Sequence, residues 1–343
     1  LVVALVASAA TLFVLWWSMN VLLAVFAGVL LALLLGGLAD GVATWTPLPR
    51  GVALMAVMAG LAGVVGLGGW LLADSVAYQV GQLAHDLPRA FSQLRDWLAG
   101  RAWGRELLAW LPAADALLSR DMAARMAGPL ASTLGTTLAV ITNTAVVLFV
   151  GLYVAARPEA YRQGVLALVP PGRRCRAEQV LHALAATLRW WLVGKVVAMT
   201  VIGAITTAGL WLIGVPLALV LGLVAGLTNF VPYLGPILGF LPALALALVQ
   251  SSTMAVWVFG LYVGVQMVES YLLTPLIQER AVWLPPAVTI SAQVILGVTL
   301  GWLGLLLATP ITAAIVVLIK MLYVEDALHE PAAVRAASSE RAA

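Results

Sequence analysis

The chain has 343 residues, of which 63% are hydrophobic and 10% charged, against roughly 45–50% apolar and about 25% charged in an average soluble protein. A net charge of +3 is too small for a nucleic-acid partner, and a lone Cys175 with three dispersed histidines excludes an internal disulfide and a Cys/His metal site; no cofactor is expected. The apolar residues gather into runs of about 20, the length that crosses about 30 Å of hydrocarbon at 1.5 Å per residue, so the bilayer is the solvent for most of the chain.

The first run, residues 1–17, has the length of a signal-peptide core. Trp16 and Trp17 close it where small cleavage residues would stand, and they read as an interfacial anchor of a retained span. A second run, 21–38, follows after Ser18, Met19 and Asn20, and so short a connection predicts an antiparallel hairpin. Asp40, expected at the interface, then Pro47, Pro49 and Arg50 punctuate the exit before a Gly-rich third span to residue 73. Residues 1–73 are therefore expected to hold three crossings.

Residues 74–133 change character, with six Arg against five Asp and one Glu. Val76, Val80, Leu83, Leu87, Phe91, Leu94 and Leu98 recur at steps of three and four, the mark of a one-sided helix. This segment reads as an amphipathic helical insert, not a span. A fourth span runs to about residue 156, and the stretch after it carries Arg157, Arg162, Arg173, Arg174, Arg176, Arg189 and Lys195 against Glu159 and Glu178. By the positive-inside rule that stretch is cytoplasmic, which puts the insert outside and both termini inside, the C-terminus by way of Lys320.

A fifth span starts near Trp191, with Lys195 close enough to its end to snorkel to the cytoplasmic face. Residues 215–250 are apolar yet contain Asn229-Phe230-Val231-Pro232-Tyr233-Leu234-Gly235-Pro236, and a helix should break there because proline lacks an N–H donor and clashes with the preceding turn. Broken backbone at membrane depth is tolerated where it is buried or lines a cavity. A further span holds Gln266 and Glu269 and stops at Thr274-Pro275; the last apolar region, 286–323, is interrupted by Gly297, Gly301, Gly304 and Pro310.

Two interrupted segments in one half, each with glycines four apart (Gly222 and Gly226, Gly297 and Gly301) before a Gly-Pro break, are the pattern of an internally repeated transport core. The structural alternative is that such glycines only let helices pack closely. The chain thus reads as an all-α, polytopic integral membrane protein with about eight membrane segments, two of them Gly/Pro-interrupted, plus an amphipathic external insert. Its regions are 1–73 (N-terminal helices), 74–133 (insert), 134–328 (transport core) and 329–343 (disordered tail).

No Walker A loop, dinucleotide-binding glycine motif, His-Glu-x-x-His pair or intramembrane-protease set occurs, so no enzyme is expected. What remains is a small set of polar groups in apolar runs, each costly unless paired or hydrated. Glu269 leads, with Gln266 one helical turn before it; such a carboxylate can bind a proton, a cation or a polar solute, or pair with Lys195 or Arg280 as structural glue. Thr228, Asn229 and Tyr233 flank the break and offer polar groups to a solute, though Asn229 can equally cap the broken helix.

The stretch NFVPYLGPILGFLPALALAL, residues 229–248, and the stretch from Gln266 to Leu328, with its Gln and Glu pair, Thr-Pro, Leu-Pro-Pro, Gly-rich run, Ala-Thr-Pro and Leu-Tyr-Val-Glu-Asp, resemble the autoinducer-2 exporter family of bacterial permeases. The resemblance implies a secondary transporter in the inner membrane. It would export a small polar solute such as a quorum-sensing signal, or exchange Na+ or H+, as a lipid-embedded homo-oligomer, a pentamer being compatible with the family. The positions it marks are Asn229, Pro232, Tyr233, Gly235, Pro236, Gln266 and Glu269; with Thr228, Gly301 and Pro310 they form the expected solute or ion pathway. A non-transporting membrane scaffold that displays residues 74–133 is the alternative from another class.

Overall fold

The computed structural model describes residues 2–102, 104–106, 135–275 and 284–326, and all the regular structure among them is helical. The helices are α1 (Val2–Trp45), α2 (Arg50–Ala99), α3 (Gly135–Ala156), α4 (Pro158–Ala167), α5 (Arg174–Ile213), α6 (Ala218–Thr228), α7 (Leu234–Gln250), α8 (Ser252–Val268) and α9 (Pro286–Leu318). Glu269–Leu273 and Ile319–Glu325 are π-helical turns that continue α8 and α9. Among the described residues five helices are long and apolar enough to cross a membrane, and Thr142–Ala156, α6 and α7 are shorter apolar helices. Many large apolar side chains on the long helices face outward, among them Val64, Trp70, Trp211, Leu212, Val256 and Trp257, a surface suited to lipid.

Two expectations fail at the N-terminal end. No hairpin forms at residues 17–20: α1 is one helix of 44 residues. The polar Ser18 and Asn20 do not stop it, because neither proline nor glycine stands there and both residues are tolerated in helix interiors at small cost. Nor is there a break at residue 73, since α2 runs 50 residues from the third apolar run into the insert. α1 ends before a proline instead: Thr46 Oγ1 donates to Val42 O at 2.7 Å, closing the helix ahead of Pro47. Residues 107–134, the rest of the insert, lie outside the described residues, as do Arg280 and the tail.

The chain divides into two compact units. The first comprises residues 1–58, 140–193 and 277–343. Its apolar cluster joins Ala32, Leu35 and Ala39 of α1, Ala53 and Leu54 of α2, and Ala155 of α3. At Gly28 an added Cβ would lie 2.7 Å from Val150 Cβ, and at Gly151 2.8 Å from Leu31 Cδ2, so glycines set the α1–α3 approach. Asp40, expected at the interface, pairs with Arg50 at 3.0 Å and Arg189 at 3.5 Å. Arg176 holds the second π turn, donating to Glu325 at 3.0 Å and Met321 O at 2.8 Å and pairing with Asp326 at 2.9 Å. On α4, Arg162 bonds both Glu159 and Glu178, and the bond to Glu159 raises its guanidinium further above the usual value.

Within α9 the chain reverses. Gly301 has φ 68° and ψ −151°, a conformation that favours glycine. Gly297 then meets Leu305, 3.5 Å from an added Cβ, whereas residues eight apart in a straight helix are separated by about 12 Å. The two halves, 286–300 and 302–318, form a helical hairpin.

The second unit comprises residues 59–139 and 194–276. Its core joins Leu83 and Ala90 of α2, Leu210 of α5, Leu221 of α6, Ala243 and Leu246 of α7, and Val258 of α8, with Val76, Val80 and Leu98 packed against it. Val76, Val80, Leu83 and Leu98 of the periodic face read from the insert therefore pack on this core. Gln79 of α2 supplies an Oε1 acceptor to the Val220 N–H at 3.3 Å, satisfying one of the free donors at the start of α6. Gly214 (φ 84°) ends α5: its N–H bonds Trp211 O at 3.0 Å and that of Val215 bonds Leu210 O at 2.9 Å, a Schellman closure that turns the chain into α6.

α6 and α7 form a second hairpin around residues 229–233. An added Cβ at Gly239 would lie 2.9 Å from Ala225 Cα, so backbone meets backbone. α7 carries a buried Pro242, and next to the carbonyl that this proline leaves without its usual donor, Gly239 O accepts from Tyr262 Oη of α8 at 2.9 Å. The Tyr262 ring also packs on Phe240, with centroids 5.3 Å apart. Tyr262→Phe keeps the ring and removes this bond, so thermal denaturation of the purified protein should show a loss of about 0.5–1.5 kcal/mol, with no loss in a conservative change at the exposed Tyr271.

Candidate functional site

The hairpin turn begins as α6 runs out. Asn229 follows its last residue, and its own N–H still bonds Ala225 O at 3.1 Å. Pro232 and a left-handed Tyr233 (φ 65°) then reverse the chain into α7. Such a φ is uncommon for a residue other than glycine and is held here by the flanking helices. Thr228 Oγ1 staples the turn, donating to Val224 O at 2.7 Å and lying 3.0 Å from Gly235 O. Gly235 is buried, and an added Cβ would lie 2.8 Å from Asn229 Cα. Thr228, Gly235 and Pro232 thus shape the turn, and the Tyr233 side chain lies exposed beside it.

Asn229 is 1% exposed, and Lys195 of α5, 8% exposed, donates from Nζ to its Oδ1 at 3.5 Å. The snorkelling expected of Lys195 does not occur: packing of α5 against α6 turns its ammonium inward. Glu269 approaches from α8, where its carboxylate feels the Lys195 charge and the amides of Asn229 and Gln266. Asn229 Nδ2 nevertheless closes no full hydrogen bond. Glu269 begins the π-helical turn, where the register of α8 slips by one residue, a distortion often found at functional sites. Gln266, itself exposed, also lies 3.4 Å from Ser270 Oγ.

The structure therefore joins Asn229, Gln266 and Glu269, and sets beside them Lys195, which the sequence offered as a structural partner of Glu269. The available signal for Lys195 was a lone lysine in the run Trp190-Trp191-Leu192-Val193-Gly194-Lys195-Val196-Val197. Gly301 and Pro310 belong to the other unit. Gly301 makes the reversal of α9, and Pro310 is fully buried in its second half beside Thr309 and Thr312. With Thr289 and Gln293 on the first half these give that hairpin four buried polar side chains, a set that no apolar-run pattern signals.

The glycines four apart have a packing role. An added Cβ at Gly226 would lie 2.7 Å from Met199 O and 3.0 Å from Gly203 Cα, and one at Gly222 2.8 Å from Thr207 Cα, so α5 and α6 touch through their backbones. This contact holds Lys195 and Asn229 together. Beside it an open groove of about 640 Å³ runs between Val196 and Leu227. Its Thr200 and Thr207 hydroxyl protons are spent on Val196 O and Gly203 O, so neither side chain offers a polar solute a donor.

Residues 5–323 match the family described as AI-2E family transporter. A Mycobacterium tuberculosis protein named "Putative transport protein MT0215" is 30% identical over 314 residues, covering 89% of this chain and 84% of that protein. YrrI and YueF of Bacillus subtilis, which bear the same kind of name, are 31% and 28% identical over 170 and 188 residues, 50% and 54% of this chain. The chain spans about half the length of these two relatives (48% and 51%).

Proposed function

Since this chain belongs to the AI-2E transporter family, we propose that it is a secondary transporter that exports a small polar solute across the bacterial inner membrane, with the Lys195–Asn229–Glu269 cluster as its binding site. The observation that carries this reading is the cluster itself: an ammonium, an amide and a carboxylate held together among apolar helices at a helix break. Ionisable groups cost about 2.5–3.5 kcal/mol each at the centre of a membrane helix and persist there for function.

The hairpins support it. α6 has 11 residues and α7 has 17, about 16 and 26 Å, both shorter than the hydrocarbon core, so a turn at 229–233 ends inside the membrane. The halves of α9, about 22 and 25 Å, do the same at Gly301. With α1 as one span and α6 and α7 counted separately, the five long and three short apolar helices give a proposed topology of eight segments, partitioned differently from the expected one. In this reading the basic stretch 157–189 and the C-terminal end face the cytoplasm, and α1, being one helix, crosses once. A homo-oligomer, pentameric in the family pattern, is the proposed assembly.

Purified protein in proteoliposomes should show saturable counterflow of at least one solute from a screen of small polar compounds, quorum-sensing furanones included. No flux of any of them from folded protein counts against the reading. A membrane carboxylate at Glu269 also favours a second reading, Na+ or H+ antiport, for which sodium-dependent pH change in vesicles is the discriminating measurement. A scaffold would instead lose its function on deletion of residues 74–133 and keep it when Glu269 is changed.

A further inference from the structure

The cluster is unevenly supplied with hydrogen-bond partners. Asn229 Nδ2 is buried and closes no full hydrogen bond, the Glu269 carboxylate being the acceptor that comes nearest to answering it. The Lys195 ammonium has three N–H donors, and the one bond it makes within the cluster is the 3.5 Å contact to Asn229 Oδ1. Two buried nitrogens from two helices thus present spare donors to one place. The acceptor charge that answers them is a carboxylate, Glu269, brought from a third helix. The site is built around a carboxylate already.

We propose that the cluster binds a small organic monocarboxylate between Lys195 Nζ and Asn229 Nδ2 while a proton sits on Glu269, so that anion and proton are carried together. This rests on the transporter reading above and names its solute class. The step is a protonation and an exchange of counter-charge. A proton from solution adds to a Glu269 oxygen and neutralises it, and the solute carboxylate takes its place opposite Lys195. Cluster charge is zero before and after, and no covalent bond of the solute changes.

Among the described residues, the groups acting on Glu269 are few. Lys195 comes from α5, Asn229 from the end of α6 and Gln266 from its own helix. α7, packed along α8, has no ionisable side chain. The ionisable residues of α2, among them Asp74, His85 and Asp86, belong to the helix whose apolar face shares one core cluster with Ala255 and Val258 of α8.

The test uses the whole chain in proteoliposomes, with pyruvate and propionate as anionic probes and glycerol as the neutral one. Equilibrium binding of pyruvate should tighten by about tenfold for each unit that pH falls through the Glu269 titration. Glu269→Gln, which mimics the protonated acid, should bind pyruvate with no pH dependence. Lys195→Met and Asn229→Leu should weaken binding by more than about tenfold. Lys195→Arg, which keeps the charge, should retain it. Glycerol flux without binding of either carboxylate at any pH overturns the proposal and leaves the transporter reading standing; pH-independent pyruvate binding by the unaltered protein overturns the proton step. Absence of all flux and binding from folded protein removes both.

Discussion

Glu269→Gln is expected to abolish solute flux, with a drop of about 10- to 100-fold or more, while the protein still folds and assembles. Among the described residues the carboxylate is the one group in the cluster that answers the Lys195 charge, and hydrogen bonds to charged groups are worth about 1.5–3 kcal/mol each. Gln keeps the shape and the contacts to Gln266 and Asn229 but cannot cycle between charged and neutral forms. The paired control is Lys195→Met with Glu269→Gln, which removes both charges. If the single variant is inactive because an unpaired ammonium destabilises the fold, the double variant recovers yield without recovering flux. Flux in Glu269→Gln equal to that of the unaltered protein, measured in proteoliposomes, would remove Glu269 from the pathway.

Gly226→Leu should have the larger effect on stability. Its added atoms would press into Met199 O and Gly203 Cα, which are backbone and cannot rotate aside. Overpacking of this kind costs about 3 kcal/mol or more when no side chain can yield. Separation of α5 from α6 would also part Lys195 from Asn229, so activity should be lost with assembly. Gly264→Ala on α8 is the counterpart: nothing lies within 4 Å of its added Cβ, and a helix gains about 0.5–1 kcal/mol from the change. Size-exclusion profiles after a heating series distinguish the two. Equal survival of both variants would mean that the α5–α6 contact does not hold the unit together.

Some features of this protein are legible residue by residue. Hydropathy adds along the chain, so its membrane class and the apolar runs follow from composition alone. The break at residues 229–233 is also local, because Pro232 and the positive φ of Tyr233 beside it end the α6 ladder there, whereas Pro236 and Pro242 are carried within α7. Continuity of α1 through Ser18 and Asn20 was less visible, since polar residues disfavour a membrane position without breaking a helix.

The sequence by itself determined the solvent, the helical class and the place where the core breaks, since each depends on near neighbours in the chain. Tertiary structure alone decided that Lys195 turns inward to Asn229, 34 residues away, and that Glu269 joins them from a third helix. It also decided that the glycines of α6 serve packing while Gly301 serves reversal. The reason is physical: whether a lysine snorkels or pairs depends on which backbones approach closely enough to bury it, and that approach is set by small residues on two helices at once.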